Sequence, residues 1–80
     1  MNNTQKMINQ DIRYFKKYLH NLDGDIIETQ ESLIRELPNK DNQSAITLYK
    51  NLITFYFSEK KNVQKEIIKL RLEKNRNLLH

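Results

Sequence analysis

The chain has no cysteine, and only one glycine and one proline among its 80 residues. Without cysteine there is no disulfide framework and no thiolate metal site. So few turn-forming residues argue against all-β and α/β folds, which need many tight connections. Long apolar runs are missing too. No stretch approaches the roughly 18 residues of a membrane span, and Met1-Asn2-Asn3-Thr4-Gln5-Lys6 opens no secretory signal. These absences set the expectation of one small cytoplasmic domain, residues 1–80.

Charged residues make up 30% of the chain, and Lys, Glu, Leu, Ile, Asn and Gln dominate, a composition suited to long helices. The apolar residues repeat accordingly. Ile8, Ile12, Phe15, Leu19, Leu22 and Ile26 are separated by alternating steps of four and three; Leu33 and Leu37 resume the phase after a gap at Thr29 and Gln30. This is a heptad seam. Pro38 disfavours helical geometry at Leu37, so a helix over about residues 4–37 should end there. Residues 38–43 read as a connector, and Asp41, Asn42 or Ser44 can cap the second helix. A second seam, Ala45, Tyr49, Leu52, Tyr56, Lys60, Val63, Ile67 and Leu70, predicts that helix over about residues 44–77.

Folded back at residue 41, the two seams meet: Leu33 faces Tyr49, Ile26 faces Tyr56, Leu19 faces Val63 and Ile12 faces Leu70. The expected fold is therefore all-α, a long antiparallel hairpin of coiled-coil type. One local signal opposes it. In Leu22-Asp23-Gly24-Asp25-Ile26-Ile27-Glu28, Gly24 could end a helix, and Asp25 with Glu28 could cap another. A three-helix bundle broken at Gly24 is the alternative.

Two seams do not use up the apolar residues. Nine of the thirteen residues from Ala45 to Phe57 are hydrophobic or aromatic, too many for one stripe. Leu48 and Phe55 lie off the seam, flanked by Ile46, Ile53 and Phe57; Tyr14, Tyr18, Ile27 and Ile34 are left over on the first helix. Such surplus calls for cover, and a homodimeric four-helix bundle supplies it. Leu48, Leu52, Phe55, Phe57, Ile27 and Ile34 are the candidate interface. Charge is also divided along the chain. Residues 6–22 carry four positive and one negative charge, residues 60–76 seven and two, and residues 23–59 three and seven. Two antiparallel hairpins would set each basic open end beside an acidic turn end.

Little suggests chemistry. Asn21-Leu22-Asp23-Gly24-Asp25 echoes the middle of a calcium loop, but Leu19 and Gln30 would occupy its outer ligand positions, where acidic residues are needed. His20 and His80 have no ligand or nucleophile at a useful spacing. No catalytic residue, metal ligand or cofactor is nominated. The expected function is a non-enzymatic protein–protein interaction module: a small homodimeric regulator, inhibitor or adaptor working by helix packing. The alternative is a nucleic-acid-binding helical dimer whose open end offers Lys16, Lys17, Lys61, Lys65, Lys69 and Arg71 to phosphates.

Overall fold

A computed structural model describes residues 3–78, with side chains from residue 4 to residue 76. The described residues form two helices, α1 (Asn3–Glu36) and α2 (Gln43–Leu78), packed as a hairpin without strands. The rod extends 62 × 14 × 12 Å, with a radius of gyration of 18.1 Å. A compact domain of this length would have about 12 Å. The elongation follows from topology, since two helices can bury one stripe each and no third element lies across them.

α1 is continuous through Gly24, which excludes the three-helix alternative. Gly24 has no positive φ, so it is not acting as a left-handed cap. The neighbouring cap candidates are used otherwise. Asp23 reaches across to α2, and the Asp25 carbonyl accepts a 2.7 Å hydrogen bond from Thr29 Oγ1 within the helix.

The fold-back keeps the sequence register but shifts part of the seam. On α1 the inward positions are Gln5, Ile8, Ile12, Phe15, Leu19, Leu22, Ile26, Thr29, Leu33 and Glu36, an unbroken heptad with Ile8, Ile12, Leu22 and Ile26 buried. Thr29 fills the position that hydrophobicity alone reads as a gap. Leu37, expected in the seam, is half exposed, and Glu36 takes its layer. On α2 the inward positions are Ile46, Tyr49, Ile53, Tyr56, Lys60, Val63, Ile67, Leu70 and Lys74. Ile46 is buried where Ala45 is half-buried, and Leu52 and Ile53 are both half-buried, so the inward stripe near the turn takes in Ile46 and Ile53 beside Ala45 and Leu52. The expected seam contains one three-residue step too few near the turn, because Leu52 is as apolar as Ile53 and hydropathy cannot choose between neighbours.

The connector is held by short backbone bonds. Leu37 N donates to Leu33 O, Asn39 N to Glu36 O, and Asn42 N to Asn39 O; the Ile46 N to Asn42 O bond then opens α2. Asn42 stands at the cap position, and its Nδ2 donates to Glu36 Oε2 at 2.8 Å, tying the end of α1 to the start of α2.

Candidate functional site

With the seam fixed, helical geometry assigns every other residue to a face. Successive residues turn by about 100°, so the hairpin has two broad sides flanking the seam and a narrow back on each helix. Two cross-helix contacts identify the sides. On one, the Tyr18 hydroxyl donates to Glu59 Oε2 at 3.3 Å. On the other, Lys60 Nζ pairs with Asp23 Oδ1 at 2.7 Å.

The Tyr18–Glu59 side carries Asp11, Asp25, Glu28, Glu59, Glu66 and Glu73 against Arg35, Lys69 and Arg76, a net charge of −3. The opposite side carries Lys6, Arg13, Lys16, Lys50, Lys61 and Arg71 against Asp23 alone, a net charge of +5. Counting charge along the chain separates basic ends from an acidic middle and misses this division by face. The faces become legible only once the seam is assigned through its polar layers, Thr29, Glu36, Lys60 and Lys74.

Two adjoining grooves open between the helices on the basic side. One, of about 380 Å³, is lined by Lys16, Leu19, Gln64, Ile67, Ile68 and Arg71. The next, of about 330 Å³ and nearer the open end, is lined by Asn9, Ile12, Arg13, Lys16, Arg71 and Lys74. The floor is apolar and the rim cationic. Of the six residues nominated for phosphate contact, Lys16 and Arg71 meet in this groove, and Lys61 lies on the same side. Lys17 and Lys65 fall on the backs of their helices. Lys69 falls on the acidic side, 3.6 Å from Glu66 Oε1. Arg13 and Lys74 belong to the groove and were not nominated. Lys74 was hidden because it occupies an inward heptad position where an apolar residue is the norm.

The nominated apolar interface also divides. Leu48, Leu52 and Phe55 lie on the acidic side, with Tyr14, Tyr18 and Met7 on the facing helix. Ile27, Ile34 and Phe57 lie on the basic side, toward the turn. Phe55 and Phe57 are about 200° apart around α2, so one flat surface cannot hold both. Leu48 is 55%, Phe55 57%, Phe57 48% and Ile34 66% exposed, whereas Leu52 is half-buried. The Phe55 ring rests edge-on against Tyr56, with centroids 5.9 Å apart, so it is held in place although exposed.

The surface as a whole is larger than that of a compact protein. The chain exposes 6446 Å², whereas a compact protein of its 9.7 kDa mass would expose about 5100 Å². No described side chain is fully buried. Partial burial at the helix interface, then the charge of Glu59 and its hydrogen bond, push the Tyr18 phenol above its ordinary value.

The chain matches no known protein family, no characterised protein and no solved structure. The calcium-like Asn21–Asp25 stretch lies within a continuous helix, with Leu22 buried and Asp23 paired to Lys60, so it forms no loop around an ion. Among the described residues no three His, Asp or Glu side chains are grouped to hold a metal, and no helix is long and apolar enough to cross a membrane. His20 is exposed on the basic side; His80 lies outside the described residues.

Proposed function

We propose that the protein is a non-enzymatic helix-packing module that self-associates, two hairpins joining through their Tyr18–Glu59 sides into a four-helix bundle. The observation that supports this reading is the row of exposed apolar side chains on that side: Leu48 and Phe55 on α2, Met7 and Tyr14 on α1. They fall in two groups, Met7 and Tyr14 toward the open end and Leu48 and Phe55 toward the turn, and packing against a second copy would cover both. A regulator, inhibitor or adaptor of this size would use the bundle as a rigid platform.

Charge selects the side. A two-fold dimer packs a face against itself. The basic side would then set +5 against +5 with only Asp23 to relieve it, and Asp23 is already paired with Lys60. The other side sets −3 against −3, with Arg35, Lys69 and Arg76 interspersed among the acids to form cross-pairs. Area permits it as well. A face of 62 by 14 Å has a footprint of roughly 870 Å², close to the 800 Å² or so that each partner contributes to a standard stable interface.

Sedimentation equilibrium of the full chain tests the proposal. A dimer mass is expected at micromolar concentration. A stable, helical monomer under those conditions would remove the reading, and open-ended growth of mass with concentration would replace it with stacking of the basic side on the acidic one.

A further inference from the structure

The basic side does not serve the proposed dimer, and its open half gathers charge that the fold does not use. Arg13 and Lys16 from α1 face Arg71 and Lys74 from α2 across one groove, with Lys6 and Lys61 beyond them. Within the described residues, no carboxylate lies on this half of the face. Like charges facing one another across a helix pair work against the fold. Their convergence is explained by an anion that the chain does not itself supply.

We infer that this groove is a binding site for the phosphate backbone of double-stranded nucleic acid. Three features select that occupant. The cations form an extended strip: Lys61 to Lys74 spans thirteen residues, about 20 Å at the helical rise, and the helices set a second row beside it. A duplex presents one charge per 1.7 Å or so of its axis, so a strip of that length meets several phosphates at once. A single small anion would leave most of the strip unused. Aromatic side chains are absent from this half of the face, since Tyr14 and Tyr18 lie on the other side and Phe57 lies toward the turn. The stacking platform that single strands require is therefore missing. Finally, the apolar atoms here are mostly the recessed floor, Ile12, Leu19 and Ile67, with Ile68 the main exposed one. A face that inserts into a membrane surface presents its apolar residues outermost.

Contacts from these cations to phosphates would position the duplex without specifying its sequence. The site is independent of self-association, since the two proposals use opposite sides of the rod. Four contacts predict a salt slope near −3.6 on logarithmic axes, about 0.9 for each phosphate neutralised. From 50 to 200 mM KCl, affinity should then fall by about 150-fold.

Fluorescence anisotropy with a labelled 20-base-pair DNA duplex, using the full chain, tests the inference. The groove variant Arg13→Gln/Lys16→Gln/Arg71→Gln/Lys74→Gln is compared with Lys17→Gln/Lys40→Gln/Lys50→Gln/Lys65→Gln, which loses four positive charges outside both the groove and the proposed dimer side. Circular dichroism checks that both remain helical. The groove variant should bind at least 100-fold more weakly at 50 mM KCl, and the control within about tenfold of the unaltered protein. No duplex binding by the unaltered protein, or equal losses in the two variants, would overturn the site. So would tighter binding to a single-stranded oligonucleotide or to phosphatidylserine vesicles. If the groove variant unfolds, the single changes Arg71→Gln and Lys65→Gln take over the comparison. A dimer that dissociates only in the groove variant would instead assign this side to a second copy of the chain.

Discussion

Replacing Phe55 with glutamate should convert the proposed dimer to monomer while leaving the hairpin helical. Phe55 is 57% exposed in the single hairpin, and burying a whole phenylalanine side chain is worth up to about 3 kcal/mol. Covering the exposed fraction is thus worth roughly 1.5 kcal/mol. A two-fold interface contains the residue twice, so truncation alone removes about 3 kcal/mol, more than a hundredfold in dissociation constant. Glutamate adds a charge to a face that is already net negative, which increases the loss. Sedimentation equilibrium gives the dissociation constant and circular dichroism the helix content. The matched control is Phe57→Glu, two residues away but on the basic side, where a new carboxylate meets cations. It should leave the dimer within a few-fold of the unaltered protein. If Phe57→Glu dissociates the dimer and Phe55→Glu does not, the assignment of faces is wrong. If neither does, exposed apolar surface is not what holds the copies together.

Gly24→Ala should stabilise the hairpin by about 1 kcal/mol, the helix-propensity difference, raising Tm by several degrees in a thermal melt. A Cβ there meets nothing within 4 Å, and a fall in Tm would mean that the helix breaks at this point. Lys60 occupies an inward position with its side chain 30% exposed. Lys60→Leu should therefore gain on the order of 1 kcal/mol in denaturant unfolding, because leucine burial exceeds the worth of one part-exposed ion pair; a loss would show that the Asp23 contact governs the layer. Tyr18, whose pKa is raised in the fold, contributes stability that is fully present below the ordinary tyrosine range and is lost as pH rises through the higher folded value. Above pH 10 or so, Tyr18→Phe should flatten the alkaline fall in stability seen with the unaltered protein, and an unchanged profile would count against the Glu59 contact. Added salt should strengthen a dimer built on two faces of like net charge and weaken a stack of opposite ones, a distinction that sedimentation in 10 and 150 mM salt reads directly.

The hairpin itself was legible because α1 repeats Ile, Phe and Leu at heptad spacing from Ile8 to Ile26, and because Pro38 marks where that helix stops. Its failure points are equally specific. Around the turn, Ala45, Ile46, Leu52 and Ile53 offer two adjacent apolar stripes, and hydropathy alone does not decide between them. Gly24 looks like a break in a local window, yet a stop at that point would sacrifice the seam on both sides of it. The candidate sites were less legible than the fold. Hydropathy treats Lys74, Glu36 and Thr29 as interruptions, whereas they occupy inward positions, as Lys60 does. Omitting them hides the rotation that sends Phe55 and Phe57 to opposite sides, and Lys69 and Arg71 likewise.

That rotation bears on how the molecule can assemble. A hairpin whose sides carried the same charge could stack through either, without limit. Here one side is a self-compatible mixture of acids, a few cations and exposed Leu48, Phe55 and Tyr14; the other repels its own copy through Arg13, Lys16, Lys61 and Arg71. Pairing through the first side places both basic grooves on the outside, facing away from each other across the four helices. Between such dimers the electrostatic attraction of basic side for acidic side would find the acidic side already covered by the two-fold pairing. In the proposed dimer, closure at two copies would then follow from the charge division, and the grooves would stay open to a polyanion of another kind.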